Sequence, residues 1–567
     1  MNQRTLTDVA NALRLCGVDE RAILADGWGK WIRSILPLQR LDRSDQDGGF
    51  EDGDTGGWCD GRETAYRLAR LIAGACWGDL IDVDHRVLQE GIRRAAKFIV
   101  RRQSPNGLMD MIGIYAVNEA GFPVPGLVAA YKHLAKADPI LFEEIAADLK
   151  QYILRACEAV LAGSAHTANH RWTAACAPLA AAYSVWPDDR YLAKINDYLS
   201  DGIDCDENGF WYEERSPNYN MVANSGLAII ADCLNRPELL KPILRNFHFI
   251  LHMIQPNGEA DSSFSHRQDR AAANRSPCSY NMARRAAQLS GDGRFTTLAL
   301  EAISRWPELI YAGVPVLFDV EDHPEDLPAP LPLPTEYERF FEDRAIARIR
   351  RGSTALTLAA DHGGHFYSDV RDQWGGKKYS DDWFHLHHED IVVQSIHLAP
   401  ACMLAIQPRE MRRNGEGAYE LAGESRGWTH TLHFRPGSPP TEMRWDLKHF
   451  ERIHWKDRSI LIHLRCTAAY ALIASLNLWI RPGIEMIEDG EVPKQINAGE
   501  VIHLRGGRPI TFVSASGNKL RLAGLPLGQH RMRILPPEPI PSAKPKECGL
   551  LCLGMRLPTD LEFQFTY

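Results

Sequence analysis

Residues 324–334, "PEDLPAPLPLP", decide how this chain of 567 residues is divided. Proline has no backbone N–H and its ring clashes with the preceding turn, so this spacing forbids helix and predicts an extended, semi-rigid connector. The apolar period changes across it. Upstream, "ETAYRLARLIAGACWGDL" (63–80), "HRVLQEGIRRAAKFIVRRQ" (85–103), "PILFEEIAADLKQYILRACEAVLAG" (139–163), "RWTAACAPLAAAYSV" (171–185), "NMVANSGLAIIADCL" (220–234) and "ELLKPILRNFHFILHMI" (238–254) repeat apolar residues every three or four positions, the spacing of helices. Downstream, "ALTLAAD" (355–361), "SILIHLRC" (459–466), "YALIASLNLWI" (470–480), "EVIHLRGG" (500–507), "ITFVSAS" (510–516) and "KLRLAGL" (519–525) alternate apolar with polar, the spacing of strands.

Between the helical stretches one loop recurs: "QDGGFED" around Gly48, "SPNGLMD" around Gly107, "DENGFWYEE" around Gly209 and "QPNGEADSS" around Gly258. The gaps of 59, 102 and 49 residues imply a unit near 50, with one copy replaced near 160 by "AGSAHTANHRW". A unit of that length fits two antiparallel helices and their connections. Repeated hairpins of this kind close into an incomplete α/α toroid with the loops on one end, whereas Asn-Gly and Asp-Gly also mark ordinary turns. The predicted fold is therefore an N-terminal (α/α) toroid over 1–323, a Pro-rich linker over 324–336, and an antiparallel β-sandwich over 337–567.

A net charge of −9 argues against a general nucleic-acid binder. The opening "MNQRTLTDVANALRLCGVDERAIL" has no uninterrupted apolar region, and no run approaches a membrane span, so a cytoplasmic protein without secretory signal or membrane contact is expected. The twelve cysteines form no CxxC pair, which suits buried thiols in a reducing compartment.

The replaced loop places Asn169 and His170 just before Trp172 and a new helix. An amide beside an imidazole suits a carboxylate ligand whose charge has to be blunted; a helix cap with a surface histidine is the other reading. One hairpin on, "YEERSPNYN" (212–220) carries Tyr212, Glu213, Glu214 and Tyr219. Pro217 puts Tyr219 at a helix start, where a phenol can take and return a proton, while Tyr212 reads as a sugar platform or as core. The next hairpin brings His266, Arg267 and Arg270, a positive patch or plain capping charge. Beyond the linker, "WFHLHHEDIVVQ" (383–394) places His385 and His387 on one face of a strand. That geometry suits either a histidine lip over a cleft or a divalent ion, zinc or calcium, with His387, His388 and Asp390 as the ligand set. No cofactor is otherwise required.

A helical half, a Pro-rich linker and a strand half, with "NH", then "SP-x-Y" about 50 residues on, then "PNG…DSS", then an HxH strand, resemble the heparinase II/III-like and alginate-lyase-like polysaccharide lyases. The resemblance implies β-elimination of a uronic-acid-containing oligo- or polysaccharide, in a chain that self-associates or acts alone. Asn169 with His170 would neutralise the uronate carboxylate, Tyr219 would move the proton, and His385 or His387 would complete the site. Trp172, Tyr212, Glu214, His266 and Arg267 would hold the sugar. Two departures stand out: Asn220 replaces the histidine that usually follows SP-x-Y, and "HLHHED" replaces a compact HxHxD. A glycoside hydrolase using two of Asp110, Glu119, Glu213, Glu214 and Asp261 is the rival reading, and a non-catalytic carbohydrate-binding protein is a further one.

Overall fold

The computed structural model describes residues 20–42, 44–51, 57–111, 113–163, 170–211, 216–265, 269, 276–305, 314–360, 383–400, 408–430, 442–468, 472–481, 483–489, 494–495, 501–527, 529–535 and 548–567. Apart from a short hairpin of β1 (Met109–Met111) and β2 (Ile114–Ala116), helices precede the connector and antiparallel strands follow it, as the two periods predict. The chain divides into two compact units: 1–251 with 276–333, and 252–275 with 334–567. One loop of the helical stretch therefore belongs with the strands.

In the first unit the helices are α1 (Glu20–Ile35), α2 (Gly61–Cys76), α3 (His85–Arg102), α4 (Val117–Gly121), α5 (Val124–Ala137), α6 (Pro139–Ala162), α7 (Ala177–Tyr183), α8 (Asp189–Ser200), α9 (Pro217–Leu234), α10 (Leu240–Ile250), α11 (Tyr280–Ser290), α12 (Gly293–Arg305) and α13 (Val316–Asp322). Many starts are written locally. Asp60, Asp84, Asp138, Asp188 and Ser216 each accept a first-turn N–H with the side chain, satisfying donors that a helix leaves open. The connector is extended and pinned to α12, with Leu331 N–H donating to Gly293 O (3.0 Å) and Thr297 Oγ1 to Leu331 O (2.7 Å).

The recurring loop is one structure made several times. Gly48, Gly107, Gly209 and Gly258 all have φ between +83° and +87°, a region that side chains avoid. A Cβ on Gly107 would meet the Arg155 carbonyl oxygen at 2.0 Å, and on Gly209 that of Arg245 at 2.2 Å, so these turns press directly on a helix backbone.

Among the described residues, the second unit holds two nine-stranded antiparallel sheets that share one apolar core. One sheet runs β3 (Glu336–Phe341), β4 (Ile346–Arg351), β5 (Thr354–Ala359), β6 (Phe384–His388) and β7 (Ile391–Pro400), then Leu472–Ile480, Cys548–Leu557, Gln529–Leu535 and Val501–Arg505. Ala347, Ile349, Leu356, Leu358, Phe384 and Leu386 join the core. Their neighbours Arg348, Arg350, Thr357, His385 and His387 take the opposite face, because strand side chains alternate. All five are buried, and the polar groups of residues 252–261 meet this face.

Candidate active site

His170 ends the replaced loop and enters a π-helical turn, Arg171–Cys176, which continues into α7. Turns of this type are rare and concentrate at functional sites. Two glycines press on it from either side. A Cβ at Gly121 in α4 would stand 2.1 Å from Ala174 O, and one at Gly226 in α9 would stand 2.8 Å from the carbonyl carbon of Trp172. Only glycine allows approaches this close.

These crossings decide which side chains meet. Asn118 lies three residues before Gly121, on the same face of α4. Its Nδ2 is 3.2 Å from Nδ1 of His170, whose ring also stands edge-on to Phe122 with centroids 5.5 Å apart. With the amide donating, Nδ1 accepts and the ring proton of neutral His170 sits on Nε2, on the far side from Asn118. Oδ1 of Asn118 is buried without a hydrogen-bond partner among the described residues. Tyr219 lies seven residues before Gly226 and three before Val222, whose carbonyl accepts from Thr173 Oγ1 (3.3 Å). The phenol therefore leaves α9 on the face that packs against the turn, one helical turn from the contact with Thr173. It is the third residue of α9, its N–H donating to the Ser216 cap at 3.3 Å, and it is partly exposed.

Among the described residues, the charges of Arg62, Glu63, Glu119, Arg171 and Asp204 are paired. Arg62 bridges Glu119, next to Asn118, at 2.8 Å, and Glu63 at 3.0 Å. Burial pushes the Glu119 carboxyl up against the pull of Arg62. Asp204 accepts from Trp172 Nε1 (3.0 Å) and from Arg171 (3.2 Å).

Trp172 requires a correction: expected to hold sugar, it is fully buried, hydrogen-bonded to Asp204 and covered by the Arg171 guanidinium 4.6 Å from its ring. Asn169, Tyr212, Glu213, Glu214, His266, Arg267 and Arg270 lie outside the described residues. Asn118 was missed, since nothing in "YAVNEAGF" sets it apart. Glycine inside a helical pattern was the available signal, because such glycines carry a packing reason, and Gly121 and Gly226 hold the whole arrangement.

The strand histidines form a second cluster, inside the second unit. Arg348, Thr357 and His385 are cross-strand neighbours on β4, β5 and β6. Asp261 pairs with Arg348 at 3.5 Å, both fully buried, and accepts from Thr357 Oγ1. Arg348 also donates to Ile254 O (3.1 Å) and Gln255 Oε1 (2.9 Å). Burial raises the Asp261 carboxyl, but Arg348, His385 and hydrogen bonds from Thr357 and the Ser263 N–H outweigh it and hold it below the usual range. Burial pushes His385 below the ordinary imidazole range against Asp261; its Nδ1 lies 3.0 Å from Gln394 O, so that nitrogen carries the proton. His387 is fully enclosed and shifted well below by burial and by Arg481, His385, Arg348 and Arg350, and neither ring nitrogen has a partner among the described residues.

The proposed metal set is not brought together. His387 shares the Arg348 face, His388 points to the other face against Thr354 (2.9 Å) and Tyr567, and Asp390 accepts from Asn518 (2.9 Å). Successive strand residues cannot converge on one ion. Among the described residues no group of three or more His, Cys, Asp and Glu side chains is arranged to hold a metal. Two carboxylates of the hydrolase reading are likewise engaged: Asp110 is gripped by both Nε and a terminal nitrogen of Arg102 (3.0 and 2.9 Å), and Asp261 by Arg348. No helix among the described residues is long and apolar enough to cross a membrane.

Neither a protein-family model nor a curated protein matches this sequence. Solved structures do match it in fold. Heparinase III aligns with a TM-score of 0.59 at 9% identity, over 94% of this chain and 78% of its own. Chondroitin AC lyase from Streptomyces coelicolor A3, in complex with chondroitin sulphate, aligns at 0.58 and 12% identity, over 97% and 80%. A mutant of heparan sulfate lyase HepC from Pedobacter heparinus aligns at 0.51 and 11% identity, over 89% and 76%. The resemblance to the heparinase-like lyases thus holds at the level of fold.

Proposed function

We propose that the protein is a polysaccharide lyase that cleaves a uronic-acid-containing oligo- or polysaccharide by β-elimination, its helical hairpins forming the incomplete toroid and its sheets the sandwich of that fold class. What supports this reading is the glycine-clamped π-helical turn, with His170 at its start against Asn118, packed by the α9 helix that carries Tyr219 in its first turn, in a chain whose fold neighbours are lyases. His170 presents Nε2–H to the uronate carboxylate, with Asn169 beside it in sequence, so that charge developing on the carboxylate as C5 loses its proton is stabilised. Tyr219, deprotonated, takes the C5 proton; the C5–H electron pair forms the C4=C5 double bond and the C4–O4 bond breaks. The same phenol returns the proton to the departing oxygen. Asn118 positions His170 and fixes its tautomer. His385 and His387, both buried within the second unit, take no part in this reaction.

A panel of uronic-acid oligosaccharides assayed for the near-ultraviolet absorbance of a 4,5-unsaturated uronate tests the reading. Tyr219→Phe should lower kcat by about 10²–10⁴-fold while calorimetry finds substrate binding retained. Turnover that survives Tyr219→Phe, or products without the unsaturated end, would discard it.

A further inference from the structure

The outer face of the sheet that starts at β3 is cationic, and its two ends differ. At one end Arg348 and Arg350 are buried and Arg481 is largely so. The carboxylates that meet them, Asp261 at 3.5 Å from Arg348 and Glu259 at 2.8 Å from Arg481, come from the 252–261 loop. The other end is open. Leu504, Met532 and Leu557 join the apolar core, so their strand neighbours Arg505, Arg531 and Arg556 take the outer side, and all three are exposed. Their strands, Val501–Arg505, Gln529–Leu535 and Cys548–Leu557, lie side by side. Arg505 is opposite Gln529, two residues from Arg531, and Arg556 lies four residues beyond Cys552, the residue opposite Arg531. Strand spacing then puts the three arginine Cα atoms about 8–14 Å apart, with exposed His503 facing Arg531. Among the described residues the strands bring no Asp or Glu to this face, and none of the three guanidinium groups pairs with a carboxylate. Glu488 is buried and accepts from the Arg505 backbone N–H at 2.9 Å rather than from its side chain. In a chain of net charge −9 this end of the sheet is a local positive field.

We infer that the open end of this sheet face is a docking surface for a uronate-bearing glycan chain, whose carboxylates are received by Arg505, Arg531 and Arg556. The choice of ligand rests on the lyase reading above; the surface itself is read from strand register and exposure. A guanidinium meets a carboxylate with two parallel N–H bonds, and arginine is less strongly hydrated than lysine, so both features favour carboxylates held at a surface. The separation of the three arginines matches a chain whose charges are spaced by whole sugars. A nucleic-acid duplex, with one charge per about 1.7 Å of its axis, calls for a denser array of cations.

The test is calorimetric binding of polymeric heparosan and alginate to the full chain carrying Tyr219→Phe, with and without Arg505→Ala, Arg531→Ala and Arg556→Ala together. The triple change should raise the Kd of the glycan that binds by about tenfold at low ionic strength, and added salt should narrow the difference. Lysine at the same three positions should keep most of the affinity, and thermal unfolding should be the same for all three proteins, since the positions are exposed. Equal glycan affinity with and without the three arginines, or no binding of either glycan at low salt, would overturn the inference and leave the lyase reading standing. Tighter binding of a DNA duplex through the same arginines would overturn it in favour of a nucleic-acid surface. If the triple change weakens glycan binding while no uronate glycan yields an unsaturated product, the docking surface stands and the lyase reading falls.

Discussion

Two turns of nearly the same sequence, "QSPNG" ending at Gly107 and "QPNG" ending at Gly258, have opposite surroundings. Both close with the glycine N–H donating three residues back, to Ser104 and to Gln255, and both glycines are left-handed at φ +83° and +87°. Gln103 then donates its amide to Gly107 O (3.1 Å) and to Tyr152 O in α6 (3.2 Å), anchoring a neutral turn to a helix. Gln255 uses its amide oxygen to accept from Arg348, beside the Asp261 carboxylate and under two strand histidines. Local chemistry makes the turn, and the partner chain segment decides whether it is a spacer or part of a buried charged cluster.

Removing the charge partner of the second turn should cost most. Arg348→Met leaves Asp261 ionised and uncompensated in a fully buried place, which should destabilise the second unit by about 3–5 kcal/mol. Denaturant unfolding followed by calorimetry checks this, and a loss under 1 kcal/mol would mean that the pair is solvated after all.

The first turn should break sterically instead. Gly107→Ala forces a Cβ to 2.0 Å from Arg155 O and should cost about 3 kcal/mol, whereas Gly202→Ala, at φ +82° with nothing within 4 Å, should cost about 1 kcal/mol. Equal losses at the two glycines would reduce the clamp to a backbone preference.

The third contrast is pH. No titratable group takes part in the hydrogen bonds of Gln103, so that turn should be insensitive to pH. His387 has a folded pKa well below its unfolded value near 6.5, so the unfolded chain binds the proton first as pH falls. Stability from neutral His387 is fully present above pH 6.5 and is lost as pH drops below it. His387→Gln should flatten the stability profile between pH 6.5 and 5 by about 1.4 kcal/mol per pH unit. An unchanged slope in urea titrations at pH 5 and 6.5 would show that His387 is protonated in the folded protein. Asp261 acts in a lower window: its depressed pKa contributes stability above about pH 4, lost as pH falls further.

Much of this was legible in sequence because it is short-range. The helix start after Ser216, the recurring glycine turns, and the change of period at 324–334 each depend on residues within one turn or one strand of each other. Asn118 was not legible, since its meeting with His170 spans 52 positions and is set by helix crossings at Gly121 and Gly226. Trp172 failed for a related reason. An aromatic beside a candidate site reads the same whether it faces sugar or core, and only the packing of α9 and the pairing with Asp204 enclose it.

The sequence by itself determined the two classes of secondary structure, their order, the repeated turn and the helix start at Tyr219, because dihedral preferences, capping and apolar period are local properties. Only the tertiary structure decided that residues 252–275 belong with the strands, that His387 and His388 face apart, and that Asn118 lies against His170. Those outcomes are fixed by close approaches of backbone and by pairing of buried charge between segments far apart in the chain, and no local period encodes them.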